Sequence, residues 1–172
     1  ESNRGWVLMP SGTQDIIVAS GSTIANISDV RVDLQIDTPR RSEIVVTLRH
    51  GNYTALLVNR LNQPCTRPKW TKWADIDVTL YDSAAVDIHD AGTAVQPLSG
   101  TYKPDGACYS LPLCTGGGTG GLCGQSADGD WVLSIYDEYG GTNAQLTSWA
   151  IHVYDGINPQ ESYVSSPALA IP

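Results

Sequence analysis

The sequence contains no phenylalanine and a single methionine, so its aromatic side chains are five tryptophans and eight tyrosines. Both residue types join an apolar ring to a hydrogen-bonding group, which suits sheet faces and wet interfaces. The chain also lacks an apolar run near the ~20 residues of a membrane-spanning helix, and no segment has the period of an amphipathic helix. We therefore expect a water-soluble fold with little helix and no membrane span.

Basic residues are scarce as well. Ten Lys and Arg stand against eighteen Asp and Glu, which gives a formal net charge of −8. Nucleic-acid binding requires a patch or stripe of Lys and Arg, and the sequence has none, so we expect no nucleic-acid partner. The acidic balance suits solubility, or calcium binding, without identifying a partner.

Glycine and proline are frequent, with 17 and 10 copies spread along the chain, which indicates many turns. Between the turns, Ile, Val and Leu alternate with polar residues at period two, the pattern of a half-buried strand. Such segments lie at 27–37, 75–81, 130–136 and 145–154. Composition indicates further strands at 15–19, 43–49 and 53–58, the last two forming a hairpin. Roughly eight to ten strands predict an all-β domain, either an antiparallel β-sandwich or a jelly roll.

The length suits one domain with a substantial core. We assign residues 1–19 to an N-terminal extension and first strand, and residues 20–155 to the β-sandwich. Residues 156–172 contain three prolines and several small residues, which predicts an extended C-terminal tail. No domain boundary or strong internal repeat divides the chain further.

Four cysteines lie in turn-rich sequence, namely Cys65, Cys108, Cys114 and Cys123. They do not form the paired C-x-x-C pattern of a zinc site, so disulfides formed in an oxidising compartment are favoured. Sequence leaves all the possible pairings open. Asn26 and Asn52 each begin an Asn-x-Ser/Thr sequon and are candidate glycosylation sites. Together these features predict a secreted, extracellular protein.

Three motifs follow one another in the second half of the chain. Residues 100–106 read GTYKPDG, residues 129–137 read GDWVLSIYD, and residues 146–151 read LTSWAI. In this order and spacing they resemble the closing half of the P domain, also called Homo B, of proprotein convertases and secreted subtilisin-like proteases. Residues 81–85 are similar to an upstream segment of that family. The resemblance spans roughly residues 20–155, although the four cysteines are not part of the common pattern.

The resemblance implies a non-catalytic module that supports stability, binding or targeting, beside a subtilisin-like protease domain or as a remnant of one. It places Gly100, Pro104, Trp131 and Trp149 at positions that carry the fold. The catalytic motifs of such a protease are absent from this sequence. The expected partner is therefore a protein, either a protease domain or further copies of this chain.

An independent enzyme is the less favoured interpretation. A hydrolytic triad needs a nucleophile, a base and an orienting acid that converge in space. The available bases are His50 in a predicted turn, His89 in an acidic loop and His152 on the closing strand. No Gly-x-Ser-x-Gly segment accompanies them, and we assign no catalytic residue.

Calcium is the one candidate cofactor. Asp82, Asp87 and Asp90 fall within one short irregular segment. Calcium takes about six to eight oxygen ligands, which a loop can wrap to supply. The spacing does not match an EF-hand, and the alternative interpretation is a solvated acidic loop.

Trp70 and Trp73 lie beside Lys69 and Lys72 in a Pro-containing loop and are candidates for an exposed interaction surface. They support one alternative function, a carbohydrate-binding module. A second alternative is a self-assembling extracellular structural or adhesive subunit. Apolar segments at both chain ends, such as residues 163–172, would then pair with the sheet edge of a neighbouring copy.

Overall fold

Ten β-strands make up the fold in the part of the chain that the structure describes. The computed structural model describes residues 12–61, 74–91, 97–105, 111–114, 121–138, 143–167 and 169–171. The strands are β1 Thr13–Ala19, β2 Asp29–Asp37, β3 Ile44–His50, β4 Tyr53–Asn59, β5 Ile76–Leu80, β6 Leu98–Tyr102, β7 Gly129–Asp137, β8 Ala144–Tyr154, β9 Glu161–Ser165 and β10 Leu169–Ile171. Two 3-10 turns, Arg41–Glu43 and Ile88–Asp90, are the helical segments of these ranges, and no helix there is long and apolar enough to cross a membrane. The predicted all-β fold is confirmed.

The strands form two sheets. The four-stranded sheet has the order β1-β7-β3-β4, and all its pairs are antiparallel. The six-stranded sheet has the order β10-β8-β2-β5-β6, with β9 also paired to β8. Within it only β5 and β6 run parallel among the pairs described. The predicted β3–β4 hairpin is confirmed, with Gly51 and Asn52 in its turn.

The core lies between the sheets because each strand turns alternate side chains inward. On β7 and β8 the largest of these are Trp131 and Trp149, both almost fully buried. Each indole N–H has an acceptor: Trp131 Nε1 donates to the carbonyl of Ala127 at 3.0 Å, and Trp149 Nε1 donates to Asp15 Oδ2 at 2.7 Å. Burial therefore gains the apolar contribution of the ring without leaving the polar group unsatisfied.

The C-terminal segment folds back on its own sheet. Strands β9 and β10 both pair with β8, on the side that β2 leaves open. The Thr13 hydroxyl of β1 donates to the carbonyl of Ala170 at 2.7 Å, which joins this edge to the four-stranded sheet. At the β4 edge of the four-stranded sheet, the N–H of Leu56 donates to the carbonyl of Leu111 at 3.0 Å. Such contacts cover strand edges that would otherwise offer unpaired backbone groups.

Candidate functional site

The outer face of the six-stranded sheet is polar. Along β2, Asp33 and Gln35 point away from the core because Val32, Leu34 and Ile36 on either side of them are fully buried. Successive side chains of a strand face opposite sides of a sheet, so this alternation fixes their direction. The neighbouring strands continue the polar surface on both sides.

Cross-strand pairing arranges the polar residues in two rows. In the first row, Gln35 lies opposite Ser148 of β8 and Asp77 of β5, and Asp77 lies opposite Ser99 of β6. Neighbouring strands are about 4.8 Å apart, which places these groups within reach of one small ligand. The row therefore presents a hydroxyl, an amide, a carboxylate and a second hydroxyl in sequence across four strands.

The second row runs parallel to the first, one pleat away. Asp33 of β2 lies opposite Thr79 of β5, and Thr79 lies opposite Thr101 of β6. The two rows border an open cleft of about 510 Å³, here called the outer cleft. Its lining residues are Asp33, Leu34, Gln35, Asp77, Val78, Thr79, Ser99, Gly100, Thr101 and Ser148.

Asp33 is held in place from both sides. The Thr79 hydroxyl donates to Oδ1 at 2.6 Å, and His152 Nε2 donates to Oδ2 at 2.8 Å. The second imidazole nitrogen of His152 lies 2.8 Å from the hydroxyl of Ser162 on β9. This chain of contacts fixes the Asp33 carboxylate against two strands, so it keeps one orientation at the cleft wall.

Gln35 and Asp77 are among the groups of the outer cleft that can form further hydrogen bonds. The Ser148 hydroxyl donates to Gln35 Oε1 at 3.1 Å, which directs the two N–H donors of the amide elsewhere. Asp77 is exposed, and no hydrogen bond to its carboxylate is present among the described residues. A ligand in the cleft would thus meet two donors and a carboxylate acceptor.

An arginine stack lies beyond one end of the cleft on β2. The Arg31 guanidinium carbon lies 4.8 Å from the ring centroid of Tyr81 and 5.1 Å from that of Tyr154. Arg31 Nε also pairs with Asp29 Oδ2 at 3.3 Å. Cation–π contacts at such distances stabilise exposed residues by about 0.5–1 kcal/mol each. The stack orders both tyrosine rings beside the polar rows.

A second cluster of titratable groups lies away from this face. His89, in the turn Ile88–Asp90, donates from Nδ1 to Oδ2 of the fully buried Asp105 at 2.8 Å. The backbone N–H of Asn59 on β4 donates to the same oxygen at 3.1 Å. Asp105 Oδ1 is buried without a hydrogen-bond partner among the described residues. Asp105 therefore links the turn that holds His89 to strand β4.

The protonation of this cluster is shifted. The hydrogen bond to Asp105 raises the pKa of His89, and the negative charges of Asp105, Asp87 and Asp90 raise it further, against the opposing effect of burial. Burial raises the pKa of Asp87 too, although the hydrogen bond from the His89 N–H lowers it. A positive His89 surrounded by carboxylates is the physical origin of the first shift.

Two of the three aspartates predicted as calcium ligands, Asp82 and Asp87, accept backbone hydrogen bonds at different places, and Asp90 ends the turn Ile88–Asp90. Asp82 accepts from the backbone N–H groups of Leu113 and Cys114 at 3.2 and 2.5 Å. Asp87 accepts from the N–H of His89 at 2.9 Å and caps its turn. The residues described include no group of three or more His, Cys, Asp or Glu placed to hold a metal. Calcium binding stays a prediction.

Two of the four cysteines are described, and they are paired. Cys114 and Cys123 form a disulfide that joins residues nine apart in the sequence. Cys65 and Cys108, like Trp70 and Trp73, lie outside the described residues. A disulfide is compatible with a secreted protein.

The remaining predicted residues are distributed over the fold. Both sequon asparagines, Asn26 and Asn52, are exposed, each in a turn, so a glycan could be attached at either. Pro104 is buried next to Asp105. Gly100 is exposed on β6 and has a backbone φ of 124°, which residues other than glycine rarely adopt. Glycosylation of Asn26 and Asn52 stays a prediction.

The outer cleft itself was not predicted. The alternation along 27–37 and 75–81 indicates outward polar residues on each strand, and this was the available signal. It does not indicate that β2 and β5 are neighbours or that β6 and β8 flank them, since these pairings join distant parts of the chain. Comparison with protein-family models, curated proteins and solved structures finds no match for this chain.

Proposed function

We propose that the chain is a secreted, non-catalytic module of the P-domain type that binds or targets through its outer cleft. The observation that carries this proposal is the pair of polar rows on the six-stranded sheet. Polar side chains held on rigid strands are well suited to a binding site, because little conformational entropy is lost when a ligand is bound. Asp77 and the Gln35 amide leave hydrogen-bonding capacity open there.

The P-domain assignment rests on the positions of the three motifs. Residues 129–137 coincide with β7, and residues 146–151 lie within β8, the two strands that carry the buried Trp131 and Trp149. The first motif begins at the end of β6 and continues into the buried Pro104 and Asp105. Each motif thus falls where it would support a sandwich core, as the resemblance implies.

Binding through the cleft is tested with matched variants. Immobilised wild-type protein is exposed to the extracellular fraction of the producing organism, and the retained material is compared with that on Asp77→Ala and Asp130→Ala. Asp130 is exposed on β7, in the other sheet, so both variants lose one exposed carboxylate. We expect retention to be lost in Asp77→Ala and kept in Asp130→Ala. Equal retention by all three proteins would reject the cleft as the binding site.

Association with a subtilisin-like protease needs its own measurement. An antibody against the folded chain is used to recover it from the same extracellular fraction, and the recovered polypeptides are sequenced by mass spectrometry. We expect peptides of a subtilisin-like catalytic domain, on the same polypeptide or on a bound one. Recovery of this chain alone, at any salt concentration, would contradict the association.

Self-assembly is the second candidate function. It is supported by two exposed apolar residues on the edge strand β1, Ile16 and Val18, which are 51% and 62% exposed. The C-terminal segment that was expected to pair with a neighbouring copy is already paired with β8 of its own chain. The contact between copies is therefore proposed at β1. Light scattering tests it: self-assembly predicts a large particle that Ile16→Ser with Val18→Ser returns to monomer, and a monomeric wild type would reject it.

A further inference from the structure

We propose that the ligand of the outer cleft is a neutral oligosaccharide. This rests on the proposed binding role of the cleft and specifies the class of ligand. The inference starts from the chemistry of a sugar, whose hydroxyl groups each donate one hydrogen bond and accept others, at fixed spacings around a rigid ring. A matching site needs donors and acceptors interleaved on a rigid surface of similar spacing.

The polar rows meet this requirement. Asp77 can only accept, the directed amide of Gln35 donates, and the hydroxyls of Ser99 and Thr101 do both. Strands about 4.8 Å apart carry these groups, a separation close to the width of one sugar ring. The cleft spans four strands, which provides room for more than one sugar unit along the rows.

The charges of the cleft favour a neutral ligand over an acidic one. Among the residues that the structure describes, its lining includes two carboxylates, Asp33 and Asp77, and no Lys or Arg. The whole chain carries a net charge of −8. An oligosaccharide with carboxylate or sulfate groups would meet repulsion at short range, and burying unpaired carboxylates against it would be unfavourable.

Calorimetric titration tests the ligand class directly. The probes are laminarihexaose, cellohexaose and mannohexaose as neutral oligosaccharides, and an oligogalacturonate of the same length as the acidic comparison. We expect at least one neutral probe to bind, and the acidic probe to bind more weakly. Asp77→Ala should weaken binding about tenfold or more, the effect of losing a hydrogen bond to a charged group. Asp130→Ala, folded and equally charged, should bind as the wild type does.

Three results would overturn the ligand class. They are no binding of any neutral probe by folded protein, tighter binding of the oligogalacturonate, or undiminished binding in Asp77→Ala. Failure of the broader proposal is recognised separately. If the extracellular fraction yields a retained protein that Asp77→Ala loses while every oligosaccharide fails, the cleft is a binding site and its ligand is a protein surface. If nothing is retained and nothing binds, both proposals are rejected.

Discussion

The imidazole ring of His50 lies flat against the indole of Trp131, with ring centroids 4.0 Å apart and planes inclined by 10°. Both imidazole nitrogens also face backbone carbonyl oxygens, Nδ1 that of Asp130 at 3.0 Å and Nε2 that of Ser126 at 2.8 Å. His50 therefore connects the end of β3 to the segment that leads into β7. His50, predicted to lie in a turn, is thus a buried link between two strands of the core.

Replacing His50 by phenylalanine separates the ring contact from the hydrogen bonds. The variant His50→Phe keeps an aromatic ring on Trp131 and removes the two ring nitrogens that face the carbonyls of Ser126 and Asp130. Because an intramolecular hydrogen bond typically contributes about 0.5–1.5 kcal/mol to stability, we expect the free energy of unfolding to fall by that amount in urea denaturation. Arg49→Ala, at an exposed position of the same strand, is the control. Equal stability of both variants would contradict the role of the hydrogen bonds.

Trp131 is expected to be among the most sensitive core positions. It is fully buried, and Trp131→Ala removes the indole and leaves a large cavity. We expect a loss of roughly 3–5 kcal/mol in the free energy of unfolding, measured by chemical denaturation. Val164→Ala, at a residue 68% exposed on β9, should change it by less than about 0.5 kcal/mol. Near-native stability of Trp131→Ala would show that the ring is not a core element.

Stability should depend on pH through His89. Its pKa is raised in the folded protein, first by the hydrogen bond to Asp105. The folded state therefore holds this proton more tightly than the unfolded state. The stabilisation is complete below the ordinary histidine value of 6.5 and is lost as pH rises through the higher folded-state pKa.

Denaturation midpoints measured between mildly acidic and mildly alkaline pH check this. We expect the wild type to lose stability as pH rises through neutrality, and His89→Gln to lose less over the same interval. Asp87, Asp90 and Asp105 remain in the variant, so any change that persists belongs to them and to the rest of the protein. Parallel pH profiles for the two proteins would disprove the contribution of His89.

The disulfide between Cys114 and Cys123 closes a short loop beside β4. Removing it in Cys114→Ser with Cys123→Ser should lower the free energy of unfolding by about 2–3 kcal/mol, since a loop of this size restricts the unfolded chain only moderately. Hydrogen exchange of the Leu56 N–H, which donates to Leu111, should speed up. Unchanged exchange and stability would mean that the hydrogen bonds of this segment hold it without the disulfide.

The disulfide between Cys114 and Cys123 also leads to a prediction about the other two cysteines. With Cys114 and Cys123 paired, Cys65 and Cys108 are the remaining pair within one chain. A peptide map of unreduced protein should contain a fragment that joins them. Free thiols at both positions, or a dimer linked through them, would be the contrary outcome.

The local pattern of the sequence determined much of the fold. Period-two alternation predicted β2, β5, β7 and β8 and the direction of their side chains, because the pleat of a strand sets that direction without reference to the rest of the chain. Composition and spacing predicted β1 and the β3–β4 hairpin. Glycine and proline positions indicated the turns between them. The absence of helical periodicity in the sequence agrees with a described fold that holds only two single-turn helices.

The tertiary structure alone decided which of these strands are neighbours. Asp33 and Thr79 are 46 residues apart, and Asp33 and His152 are 119 apart, yet both contacts form at one carboxylate. The same holds for the cysteine pairing and for the link between His50 and Trp131. Strand order depends on how both sheets bury their apolar faces together, which is a property of the whole chain. The sequence thus determined that polar side chains would cover the outside of the strands, and long-range packing decided that four of these strands would bring them together in one cleft.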